Sequence, residues 1–104
     1  MYIYSVTIRL QKQSEQEWLD FMQKKHMRDV LDTGYFEKAN MRKIVSEPDA
    51  DMIIYNIEYH TDHMEKYNDY ARLAAPTLQK DVSDRFAGKF TAERVVYEEV
   101  ISMI

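Results

Sequence analysis

Ser14-Glu15-Gln16-Glu17-Trp18-Leu19-Asp20-Phe21-Met22-Gln23-Lys24-Lys25-His26-Met27-Arg28-Asp29-Val30-Leu31-Asp32-Thr33-Gly34-Tyr35-Phe36 is the stretch on which the reading of the fold turns. Ser14 and Glu17 stand three apart ahead of an apolar run, the spacing of a capping box in which each side chain satisfies a free backbone amide. Trp18, Phe21 and Met22, with the stem of Lys25, then share one face at helical spacing, and acids and lysines lie opposite. Gly34 closes the element as a C-terminal cap, and a strand-like run follows it. The pattern predicts a helix to about His26. Met27 to Thr33 either continues it or breaks into a turn, and the local pattern allows both. The only Trp, and a His two turns later, lie on this one element.

Outward from the helix the period changes. Before it, Tyr2, Tyr4, Val6, Ile8 and Leu10 alternate with Ser5, Thr7 and Arg9, a half-buried strand joined to the helix by Gln11-Lys12-Gln13. After it, Phe36 to Ser46 reads as a charged strand with one wet face or an edge position; Ala39, Met41, Lys43 and Val45 face one way. Glu47-Pro48-Asp49-Ala50-Asp51 supplies turn chemistry, and Met52 to Tyr59 returns as the partner of a hairpin. Thr61 or Asp62 is expected to cap a second helix, with Asp62 and Glu65 again at capping-box spacing. Its expected buried stripe is Met64, Tyr67, Tyr70, Ala71 and Ala74. Pro76 ends or kinks it and suits the first turn of a new segment through Leu78, Val82 and Phe86, stopped at Gly88. A last strand begins at Lys89 or Phe90 and runs to about Val100, with Val95 and Tyr97 on one face and Ala92 and Val96 on the other. The tail Ile101-Ser102-Met103-Ile104 is too apolar for a free solvated end and is expected to pack on something.

The order strand, helix, strand, strand, helix, strand predicts an α+β fold, the ferredoxin-like βαββαβ arrangement with an antiparallel sheet and both helices on one face. All 104 residues then form a single domain, long enough to bury a modest core. Ile3, Ile54, Ala92 and Val96, or the residues opposite them, make the other face too apolar for water, so a second copy is expected to cover it. The expected assembly is a homodimer whose two sheets face each other as an α+β barrel.

Composition narrows the function classes. The chain has no Cys, hence no thiolate nucleophile, disulfide or Cys-ligated metal. Net charge is -4 with scattered Lys and Arg, which weighs against nucleic acid, whose phosphates need clustered cations. Two Gly cannot build a glycine-rich phosphate cradle, and no cofactor is called for. No window approaches the roughly 18 apolar residues of a membrane span. Met1-Tyr2-Ile3-Tyr4 enters the first strand directly, with neither a basic segment nor a long apolar run, so a soluble, cytoplasmic setting is expected.

Two motifs carry a resemblance. The first is Glu17-Trp18-Leu19, His26-Met27-Arg28-Asp29-Val30-Leu31 and Thr33-Gly34-Tyr35-Phe36; the second is Ala75-Pro76-Thr77-Leu78-Gln79 and Arg85-Phe86-Ala87-Gly88-Lys89-Phe90. With the flanking strands, nearly the whole chain resembles a short, functionally uncharacterised bacterial DUF family of the dimeric α+β-barrel type. The family tends to carry Pro where Arg28 stands and His where Ala74 and Val82 stand. A site carried over from it therefore shrinks here to His26, Asp29 and Arg85. The Trp18 to Gly34 spacing is also similar to a helix of barrel proteins near ethyl tert-butyl ether degradation, lactone isomerases and cofactor-free monooxygenases.

His26 is the sharpest candidate for chemistry. At a helix end near a barrel mouth it suits general acid or base work on a small apolar substrate, or it simply finishes the helix. Asp29, three residues on, either orients the His26 ring or caps the following turn. Arg85 offers a planar fork for a carboxylate, or an ion pair to Asp81 or Asp84. Trp18, Tyr55 and Tyr67, with Tyr4, Tyr59 and Tyr70, either wall a cavity or fill the core. His60 and His63 flank Asp62 but lack a third ligand at metal spacing, and no metal is assigned. The function expected is a small homodimer that binds a small hydrophobic ligand. The alternative is a cofactor-independent monooxygenase- or isomerase-like enzyme using His26 as acid or base.

Overall fold

A computed structural model describes residues 1–47 and 51–104. Four strands, β1 (Tyr2–Gln11), β2 (Lys38–Lys43), β3 (Met52–Thr61) and β4 (Phe90–Glu98), form one antiparallel sheet in the order β2-β3-β1-β4. The helices are α1 (Glu15–Phe21), α2 (Met27–Asp32), α3 (Met64–Leu73) and α4 (Ala75–Arg85). This is the expected ferredoxin-like α+β fold. The hairpin turn expected at Glu47 to Asp51 lies partly outside the described residues.

Register settles which face meets the helices. Val6 lies opposite Ile57, Tyr4 opposite Tyr59, and Ile8 opposite Ala92 on the other neighbour, so one parity of all three strands points the same way. Those residues share a single core with Trp18, Phe21, Val30, Tyr70, Val82 and Phe86. Rings dominate it: Tyr4 lies 5.2 to 6.1 Å from Phe36, Tyr59, Tyr67 and Tyr70. Ala92 and Val96 belong to this packed face, so the opposite face of the sheet carries Ile3, Ile54, Val95 and Tyr97 instead; of these Val95 and Tyr97 are exposed, Ile3 is half-buried and Ile54 is buried. β2, the charged strand, sits at the sheet edge and is shorter than Phe36 to Ser46, and Val45 beyond it is exposed.

Three local expectations are corrected. Ser14 forms no capping box: a 3-10 turn over Lys12–Ser14 leaves it helical, at φ -96° and ψ -1°, and its side chain makes no cap bond. The extended backbone that a capping side chain normally uses is absent there. The cap residue of α3 is His63, not Thr61 or Asp62; Thr61 still belongs to β3, and Asp62 binds Lys66 at 2.8 Å. Ala71 is exposed, outside the stripe of Tyr67, Tyr70 and Ala74. Other punctuation holds. Ala74, with φ -117°, separates α3 from α4, and Pro76 occupies the first turn of α4. Gly34 and Gly88 take φ of +83° and +73° where their helices stop.

The undecided segment after His26 is helical, and its join is the unusual feature. A π-helical turn over Met22–His26 links α1 to α2. At about 100° per residue, Trp18 and Val30 would lie roughly 120° apart on an unbroken α-helix, and only one could be fully inward. Both are 0 % exposed. A π turn absorbs one extra residue, which brings their directions back together. It also sets residues five apart one above the other: Phe21 and His26 stack at 5.9 Å and 28°.

Candidate functional site

The helices and the inner sheet face enclose a cavity of about 50 Å³. Tyr4, Val6, Ile8, Ile57, Tyr59 and Phe90 form its floor on the sheet. Trp18, Met22 and His26 roof it from α1 and the π turn, and Tyr70, Gln79 and Val82 from α3 and α4. Ser83 and Arg94, the exposed members of the lining, mark its mouth.

Two polar atoms here lack protein partners. Trp18 Nε1 and His26 Nδ1 are buried with no hydrogen-bond partner among the described residues. A buried orphan donor costs about 1–3 kcal/mol, so natural cores rarely keep one without a compensating role. Burial drives the His26 pKa down to about 4, against the pull of the Asp29 and Asp81 carboxylates; Lys25 and Arg94 push it the same way as burial. The ring is therefore neutral near pH 7, offering one donor and one acceptor nitrogen. At the mouth, burial raises the Tyr4 phenol, while the Arg94 charge and, less strongly, the Gln79 amide oppose that rise.

The other sequence candidates lie elsewhere. Asp29 does not orient the His26 ring; it binds Lys25 at 2.5 Å. Lys25 also meets Asp81 at 3.2 Å, and Asp81 accepts from Arg85 at 3.1 Å. Burial opposes ionisation of Asp81, but the Arg85 and Lys25 bonds hold its carboxyl below the ordinary range. The Arg85 guanidinium rests 4.6 Å from the centre of the Phe21 ring, outside the cavity. Tyr55 packs on Trp18 at 5.1 Å and donates to Glu15 at 2.6 Å; burial and that carboxylate push its phenol up to about 12. Tyr67 touches Tyr4 behind the cavity wall. His60 and His63 are not joined by a third ligand: among the described residues no group of three His, Cys, Asp or Glu can hold a metal. Arg94 is the residue that sequence reasoning passed over. Its signal was present, since alternation puts this charge on the apolar face of β4 with Ala92 and Val96.

No curated protein sequence matches the chain. Solved structures with the same fold include a dimeric ferredoxin-like protein from an uncultured marine organism (TM-score 0.74, 13% identity, covering 100% of this chain and 99% of that one). Another is an ethyl tert-butyl ether degradation family protein of Bacillus halodurans (TM-score 0.65, 17% identity, 96% and 100% covered). A third is a cofactor-independent oxygenase of Streptomyces nogalater (TM-score 0.64, 9% identity, 98% and 96% covered). Identities this low speak for the fold alone. A family profile, by contrast, matches residues 1–100, and on that match the chain belongs to DUF4286, a domain of unknown function.

Proposed function

We propose that this protein is a homodimer that binds a small ligand in the cavity between sheet and helices. The observation that carries the reading is the pair of buried, unpartnered nitrogens, Trp18 Nε1 and His26 Nδ1, on the wall of an aromatic-lined space. A ligand with an acceptor oxygen would satisfy the indole N–H, as an ordered water does in the free protein of many folds. The dimer follows from the exposed sheet face with Val95 and Tyr97, and from structural neighbours described as dimeric.

Catalysis is the second reading, favoured by His26 on a π turn, a feature frequent at functional sites. The lowered pKa sets the two apart. A base holding its proton only below about pH 4 is a weak one at pH 7, so His26 serves better as a hydrogen-bonding wall than as a general base. An enzymatic role requires the bound substrate to raise that pKa. Asp29, Arg85, Tyr55 and Tyr67 take supporting roles in either case: they hold the π turn and the rings of the wall in place.

Because Trp18 is the only Trp, its emission reports on the cavity alone. Small neutral alcohols and ketones should change it saturably in the wild type. Val82→Leu, which fills the space without touching a polar group, should abolish the change. Equal responses from the two proteins would refute the assignment.

A further inference from the structure

The formal charge at the cavity, among the described residues, is positive. Among the described residues, Arg94 is the single charged residue of the lining, and no carboxylate faces the space. Arg9, Arg42, Arg72 and Arg85 each hold a carboxylate and Arg28 donates to the Gln23 carbonyl, whereas Arg94, which alone of them lines the cavity, has no carboxylate among the described residues. Its guanidinium and the Tyr4 hydroxyl line the same cavity, and the Arg94 charge favours the ionised phenol. In a chain of net charge -4, a guanidinium left without an acid and aimed at a cavity is an anion receptor by its chemistry. Deeper in, Trp18 Nε1–H can only donate.

Size narrows the class further. An engineered cavity near 150 Å³ takes benzene, and a water in the liquid occupies about 30 Å³. A space of about 50 Å³ therefore admits only a few heavy atoms and excludes an aromatic ring. A carboxylate buried beside the apolar floor would be heavily penalised, so the charge belongs at the mouth and the uncharged end inside.

We infer that the ligand is a short-chain oxo- or hydroxy-carboxylic acid. Arg94 and Tyr4 hold its carboxylate at the mouth, and its second oxygen accepts from Trp18 Nε1–H beside His26. This rests on the ligand-binding reading above and specifies the ligand.

Trp18 gives a single indole signal in a ¹H–¹⁵N correlation spectrum, so the test follows that peak in the intact protein. Pyruvate should shift it saturably, and acetone, the neutral analogue, should bind at least about tenfold more weakly. Benzoate should leave it in place. Arg94→Gln should weaken pyruvate binding by about 10- to 100-fold, the loss expected for hydrogen bonds to a charged group, and leave acetone unchanged. Arg94→Lys should restore part of the affinity. Equal binding of pyruvate and acetone, or pyruvate binding indifferent to Arg94→Gln, overturns the inference while ligand binding itself stands. An indole peak moved by neither molecule sinks both.

Discussion

His26 shows how one residue's environment reverses the expectation drawn from its type. An exposed His titrates near 6.5; this one is held neutral to about pH 4 because its ring is packed on Phe21 and roofs a cavity. The unfolded chain takes up the proton first as pH falls, so the folded state is progressively disfavoured between about pH 6.5 and pH 4. Above pH 6.5 both states are neutral, and below pH 4 both are charged. The loss across that window is on the order of 3 kcal/mol. Subtracting the stability of His26→Gln, measured by urea unfolding over the same pH range, cancels the carboxylates common to both proteins. The difference should fall between pH 6.5 and 4 and be flat above. Parallel curves for the two proteins would mean that the ring is solvated.

At the scale of elements, the helix from Glu15 to Asp32 carries one residue more than its two inward ends can use, and the π turn stores it. Removing an exposed residue from that turn should therefore do little harm. With Lys24 deleted, Trp18 and Val30 stand eleven apart, within roughly 20° of each other on a continuous α-helix, and Phe21 and His26 stand four apart on one face. The expected result is a cooperative melt with a midpoint unchanged or a few degrees higher, since a regular helical hydrogen bond replaces a strained one. Deleting exposed Lys80 from α4, which has no π turn to absorb the change, should instead rotate Val82 and Phe86 by about 100° relative to Ala75 and off the core; an interior position of this kind costs about 2–5 kcal/mol when emptied. A deletion of Lys24 as damaging as that of Lys80 would show that the π turn is needed for folding.

The whole molecule presents two apolar features to solvent that its own core does not use. Val95 and Tyr97 stand 49% and 52% exposed on the open sheet face, and Val100, Ile101, Met103 and Ile104 extend past β4. Polar groups on the same face are organised among themselves: Asn56 donates to Ser5 at 2.8 Å and Thr7 at 3.2 Å, and Arg42 pairs with Glu58. A face with its polar groups already satisfied and a scatter of exposed apolar side chains suits a specific, partly polar interface. Sedimentation equilibrium at micromolar concentration should give twice the 12.5 kDa of one chain. Tyr97→Lys, which places like charges across a two-fold interface, should convert the protein to monomer and lower the melting midpoint. A wild-type mass of one chain under those conditions would remove the dimer and its barrel.

Local chemistry determined the elements. Alternation of apolar and polar residues assigns a strand and its two faces within nine or ten residues. A proline after Ala75 and glycines at positions 34 and 88 punctuate helices through their own backbone preferences, so βαββαβ order was legible before any tertiary contact. The capping side chains misled because several local structures compete at a helix start; a 3-10 turn at Lys12–Ser14 had no distinct pattern of its own. The cavity was beyond local reading. Arg94 meets Tyr4 because β4 pairs with β1 across some 90 residues of chain, and the π turn exists because Trp18 and Val30 must face the same core. Which charge faces which cavity is a property of long-range packing. No residue carries it alone.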